Sequence, residues 1–199
     1  MIRITNLHHR ILALSDLSLK EGVTTVLGPN GSGKTTLLSI CAGLIIPDMG
    51  SVRIDGMLPR ETEVGWVSEF PDRNILFERV FDEIAAPLRF RRRPMDEINL
   101  RTAIIAERLQ ITPLLSRTTR SLSGGEKVLV ALACAIVTDP LLLVIDEADS
   151  HLDRETARQV QEAIRSDPPK YLLQSSQYRE IVKATDQVIE LSHGTVKRI

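Results

Sequence analysis

The chain has few aromatic residues, few cysteines and no long apolar run, and each shortage removes a class of protein. Aromatics are 4% of its 199 residues, with one Trp, two Tyr and four Phe. A surface that stacks unpaired bases interleaves aromatics with basic residues, and this supply is too thin for one. The formal net charge of −1 argues against a polyanion-binding surface spread over the whole molecule. Cys41 and Cys134 sit among apolar, helix-like neighbours, so they read as buried thiols rather than a disulfide or a metal pair. Apolar runs such as Leu141–Ile145 are far shorter than the ~20 residues that span a bilayer. The start, Met1-Ile-Arg-Ile-Thr5, lacks the basic opening and apolar stretch of a secretion signal. The expectation is a cytoplasmic protein. A hydrophobic fraction of 43% with 26% charged residues is otherwise ordinary, and the length supports one substantial core.

Strand-like and helix-like segments alternate without an internal repeat. Val23–Leu27 is a β-rich run that stops at Gly28, and a helical pattern follows from Lys34 to Ala42. Ser51–Asp55 alternates like an exposed strand, and Val64–Val67 is a further strand. From about Glu78 to Thr119 strand signals vanish, and Met95–Gln110 spaces Ile98, Ala103, Ile104 and Leu109 as a helix does. This stretch is expected to be a helical insert, about 78–119, in a core of 1–77 and 120–199 that together make one domain. Lys127–Val137 reads as an apolar helix, and Leu141–Ile145 as a strand buried on both faces of a parallel sheet. Arg154–Arg165 is predicted helical, Tyr171–Ser175 a strand, and Val188–Ile199 a hairpin turning at His193-Gly194. The expected class is α/β.

Three motifs carry chemistry. In Gly28-Pro-Asn30-Gly31-Ser32-Gly33-Lys34-Thr35-Thr36, glycines let backbone N–H groups turn toward a polyphosphate at the start of a helix. Lys34 is then placed to reach the β and γ phosphates and the Thr35 hydroxyl to ligate Mg²⁺. The plain alternative is a glycine-rich turn, but all four fixed positions match and the flanks read strand-then-helix. In Leu142-Leu-Val-Ile-Asp146-Glu147 an aliphatic strand ends in two carboxylates. Asp146 suits Mg²⁺ through water, and Glu147 suits orientation or deprotonation of an attacking water. A bare Asp-Glu pair after a strand would usually be a solvated turn; a preceding phosphate loop reverses that. The third motif, Leu122-Ser123-Gly124-Gly125-Glu126, forms an anion-binding nest at a helix start, or a simple helix cap.

Leu122–Glu126, lying between the other two motifs, resembles the signature of the ATP-binding-cassette (ABC) ATPases, and the resemblance covers nearly the whole chain. Leu44–Gly56 looks like the family's strand pair after the phosphate-loop helix, Ser150-His-Leu-Asp153 like its D-loop, and Leu191–Gly194 like its terminal hairpin. Val64–Ala85 is most similar to the Q-loop region of cobalt, nickel and vitamin-type (energy-coupling-factor) ATPase components. The resemblance implies a P-loop NTPase core with a mostly parallel sheet, an N-terminal antiparallel β subdomain and a helical lobe. It implies ATP and Mg²⁺ as cofactors, and two cassettes, identical or different, that sandwich ATP head to tail. Ser123, Gly124 and Gly125 of one would face the nucleotide held by the other. It also implies transmembrane subunits on separate chains and a peripheral place on the inner face of the cell membrane.

The chain departs from the family pattern at three places. The Q-loop glutamine is Glu69, which can still ligate Mg²⁺. The switch histidine is replaced by Gln177, or by Ser176 if the gap falls differently, and glutamine cannot relay a proton. The adenine-stacking aromatic falls near His8, whose imidazole is a smaller platform and which reads equally as a surface histidine. Hydrolysis is therefore expected to be slow or partner-dependent. The basic run Arg89-Phe-Arg91-Arg92-Arg93 reads as a solvated helix end, a docking site for membrane subunits, or, least of all, a nucleic-acid contact. Two other functions compete with the transporter ATPase: a soluble ABC ATPase, as in cofactor assembly, and a regulatory cassette with weak hydrolysis.

Overall fold

The computed structural model describes residues 1–147, 152–176 and 185–198. They fall into two compact units, one of Met1–Val64, Leu141–Glu147 and Pro169–Ile199, the other of Gly65–Pro140 and Ala148–Pro168.

In the first unit, β1 (Ile2–His9) pairs antiparallel with β2 (Leu12–Leu14), β3 (Leu17–Leu19) and β5 (Met49–Ile54). Ile2, Ile4 and Leu7 are wholly buried, the inward members of a half-buried strand. β2 and β3 are three residues each, too short to show a period in the sequence. In a second sheet β4 (Gly22–Leu27) runs parallel between β8 (Tyr171–Ser176) and β9 (Gln187–Ser192). β7 (Leu142–Asp146) is parallel to β8, and all five of its residues are buried. β10 (Thr195–Arg198) folds back on β9 through His193 and Gly194, both at positive φ. α1 (Lys34–Cys41) follows β4 and packs against β5, β7 and β8. The expected antiparallel subdomain and mostly parallel core are both present.

The second unit holds α2 (Val80–Phe90), α3 (Met95–Arg108), α4 (Gly124–Ile136) and α5 (Arg154–Ser166). β6 (Val64–Val67) leads into it. Val80, Ile84 and Leu88 recur every fourth residue on α2, are fully buried, and give it an apolar face for packing against α3 and α4. α4 starts three residues before the expected Lys127. Two glycines in a first turn read poorly for a helix, but the cap described below offsets them. The basic run ends α2, where cations suit the helix dipole. Arg89 pairs with Asp82 at 2.9 Å, and the Arg91 guanidinium donates to the Pro87 carbonyl at 3.0 Å. The cysteines are free thiols, and burial pushes Cys41 up to about 12.

Candidate active site

The first unit brings the phosphate loop and the carboxylate strand together. Gly33 caps α1 at φ 104°, where a side chain is strained, and a Cβ there would come within 2.8 Å of Leu12 Cδ2. The Ser32 hydroxyl is buried and has no hydrogen-bond partner among the described residues. A buried orphan hydroxyl in this loop fits a ligand that supplies acceptor oxygens. Asn30, Gly31 and Thr35 are exposed along the loop and the first helical turn, and Thr36 is half-buried.

Lys34 is 4% exposed. Its ammonium donates to the Gly28 carbonyl at 2.8 Å and the Pro29 carbonyl at 3.2 Å, and pairs with Glu147 Oε1 at 2.9 Å. Three partners match its three protons, so the charge that would serve phosphate is held by the loop itself and by Glu147. Asp146 ends β7 at 3% exposure, and Glu147, at φ 49°, leaves the strand in a left-handed conformation. Across the sheet, the Ser175 hydroxyl donates to Asp146 Oδ1 at 2.6 Å and accepts from the Glu147 N–H at 3.0 Å. Sequence reasoning passed over Ser175. The signal was there: Gln174, Ser175 and Ser176 are three polar residues in a row at the end of a strand whose Tyr171, Leu172 and Leu173 are buried.

The signature lies in the second unit. Ser123 caps α4, its hydroxyl accepting from the Glu126 N–H at 3.2 Å while the Glu126 carboxylate accepts from the Ser123 N–H at 2.7 Å. The cap is compatible with the expected anion nest, because capping does not use the first amides of the helix, those of Gly124 and Gly125. The Glu126 carboxylate also pairs with Arg117 at 2.9 Å. The bond from the Ser123 amide, foremost, holds the Glu126 carboxyl below the usual range. The two glycines serve different ends. A Cβ on Gly125 would meet Thr156 Oγ1 at 2.9 Å, so this glycine lets α5 approach, whereas the space beside Gly124 is open.

The remaining candidates are scattered. His8 is exposed on β1, next to Ala13 of β2 and Met49 of β5. Glu69 is half-buried just past β6, in the second unit. Of the D-loop stretch, Ser150 and His151 lie outside the described residues, and Asp153 caps α5 by accepting from the Glu155 and Thr156 amides. Gln177 also lies outside the described residues, and of Ser176 only the strand backbone is described.

A phosphate loop, a carboxylate-tipped strand and a capped signature helix define an ATP-binding cassette. Residues 13–150 match the family model described as "ABC transporter". A putative ABC transporter ATP-binding protein of Pyrococcus furiosus is 32% identical over 94% of this chain and 76% of its own length. The trehalose/maltose import ATP-binding protein MalK of Thermococcus litoralis is 37% identical over 77% of this chain and 45% of its own. Among solved structures, the dimeric cassette MJ0796 superposes with a TM-score of 0.86 at 24% identity, covering 100% of this chain and 97% of that one. The structure of cbiO1 from Clostridium perfringens, part of the ABC transporter complex cbiONQ, gives 0.87 at 24% identity, covering 98% of this chain and 86% of that one. This chain belongs to the ABC transporter family and has the fold of its ATPase cassettes.

Proposed function

We propose that the chain is the ATP-hydrolysing cassette of a membrane transporter, and that ATP draws two cassettes together. The observation that carries this is Glu147 held 2.9 Å from Lys34 at the edge of the phosphate loop. Nucleotide-binding proteins that do not hydrolyse often lack this second carboxylate, and here it lies where an attacking water would need a base. Lys34 and the loop amides would hold the phosphates, while Thr35 and Asp146 would hold Mg²⁺, which neutralises charge developing on the phosphoryl group. Glu69 keeps the Mg²⁺ role that the resemblance gives it. Once Lys34 turns to phosphate, Glu147 is released to accept a proton from water. That water's oxygen bonds to the γ-phosphorus as the bond to the bridging oxygen breaks, leaving ADP and phosphate. Gln177 or Ser176 stands where the family's histidine would be, so turnover is slow or depends on a partner. His8 is the candidate beneath adenine.

Ser123, Gly124 and Gly125 would complete the site of a second cassette, identical or not. The open space beside Gly124 supports this, as does the dimeric form of one structural neighbour. The domain division proposed from the sequence is one cassette of 1–199, with a core of 1–77 and 120–199 and a helical insert at about 78–119. Among the described residues no helix is long and apolar enough to cross a membrane. As the family resemblance implies, the membrane subunits would be separate chains. The second unit offers them a groove of about 500 Å³ lined by Asp72, Leu76, Phe77, Thr119, Arg120 and Lys127. Leu76 is 74% exposed and Phe90, beside Phe77, is 70% exposed. Docking there would place the protein on the inner face of the cell membrane. ATP hydrolysis with Mg²⁺, measured over a wide range of protein concentration, tests the reading. Activity per molecule is expected to rise with concentration, or to appear when membrane subunits are added. Turnover that is independent of concentration and unaffected by any partner would refute the two-cassette site.

A further inference from the structure

Ser175 belongs to none of the motifs, yet it touches both carboxylates. It is 2% exposed and lies directly across the β7–β8 pairing from Asp146. We infer that Ser175 is a positioning residue for hydrolysis, fixing the Asp146 carboxylate and the Glu147 backbone through one hydroxyl. The proposal rests on the ATPase reading above.

The geometry assigns the bonds without ambiguity. A hydroxyl has one proton, and here it goes to Asp146 Oδ1, 2.6 Å away. The oxygen is then an acceptor, and the Glu147 N–H, 3.0 Å away, is its donor. Bonding at Oδ1 sets the rotation of the Asp146 side chain and leaves Oδ2 for a cation or its water. Glu147 sits at φ 49°, a left-handed backbone conformation that is strained for a residue with a side chain. A buried bond to its amide opposes relaxation out of that conformation. The same hydroxyl thus orients the group that would hold Mg²⁺ and retains the turn that aims the base. An apolar residue of similar size would preserve packing at this strand position and lose both effects. Groups that orient a metal-binding carboxylate commonly change metal affinity or activity by about 10–100-fold when removed.

The test compares wild type, Ser175→Ala and Ser175→Thr, in the assembly found to be active. Three things are measured: kcat and KM for ATP, the Mg²⁺ concentration giving half-maximal rate, and equilibrium binding of a fluorescent ATP analogue with Mg²⁺ and with EDTA. Ser175→Ala is expected to lower kcat by about tenfold or more and to raise the Mg²⁺ requirement. Binding in EDTA stays as in wild type, while the extra affinity conferred by Mg²⁺ shrinks. Ser175→Thr, which keeps the hydroxyl, recovers much of both losses. Wild-type kcat and Mg²⁺ requirement in Ser175→Ala would overturn the assignment. So would equal losses of binding with Mg²⁺ and with EDTA, the mark of a merely structural role. The binding arm needs no turnover and does not depend on how well the Thr variant folds. A wild type that binds no nucleotide in either condition refutes the ATPase reading itself, and shows this before any variant is compared.

Discussion

Lys34 and Glu147 hold each other in a pair of side chains that are 4% and 11% exposed. Partial burial makes either charge costly alone, so each needs the other until nucleotide arrives. Glu147→Gln keeps a polar partner at the same place but can no longer take a proton. ATP binding is expected to persist, while hydrolysis falls by about 100-fold or more. Undiminished phosphate release from that variant would remove Glu147 from the role of base. At this scale the motif residues were legible because their spacing along the chain is also their spacing in the site. Lys34 follows a glycine loop, and Glu147 follows Asp146. Ser175 was not legible because its partners are 28 and 29 residues away and meet it only through strand pairing.

At the level of the element, α4 exists as a complete helix because of its cap. Without the Ser123 and Glu126 bonds, two glycines would begin a helix with no side-chain cap on its first turn. Ser123→Ala should cost about 1 kcal/mol of stability, read from urea unfolding, whatever its effect on catalysis. The ionised Glu126 carboxylate adds a pH dependence. Its carboxyl is held below the ordinary range by the Ser123 amide first, with Arg117 contributing. A depressed folded value means the contribution is complete above the usual carboxylate pKa and disappears as pH falls through the folded one. Melting curves of Glu126→Gln should therefore lie below wild type near pH 7 and converge with it in acid. A gap that widens in acid would reverse the sign and discard the account. The helix was legible from its apolar period, but its start was not, since propensity counts against glycine and says nothing of a reciprocal cap.

Across the first unit as a whole, Asp55 joins the two sheets. It follows β5, and its carboxylate accepts from the Tyr171 hydroxyl at 2.7 Å and from Lys170 Nζ at 2.7 Å, both at the start of β8. The Met1 amino group also donates to it. The Lys170 bond, foremost, holds the Asp55 carboxyl well below its usual range. With its folded pKa depressed, Asp55 contributes fully above about pH 4 and loses its contribution as the pH falls further. The charged members, Asp55, Lys170 and the Met1 amino group, reach water although Tyr171 is buried, so salt weakens their pairing. Asp55→Asn should lower Tm by about 2–4 °C near neutral pH in low salt, with a smaller difference in acid or high salt. An equal decrease under all three conditions would show that the charge is not what matters.

What the sequence alone determined is the chemistry whose parts are local: a phosphate loop, a carboxylate pair and a signature, in an order that places the chain in its family. It also determined the α/β alternation, because an aliphatic run such as Leu142–Ile145, with every residue buried, has few other homes than a covered parallel strand. Tertiary structure decided the rest. It put Ser175 beside Asp146, Glu147 on Lys34, Thr156 against Gly125 and Asp55 between two sheets. Each of those contacts joins positions far apart in the chain. Local propensity and periodicity act over a few residues, whereas strand register and helix packing choose which distant residues meet.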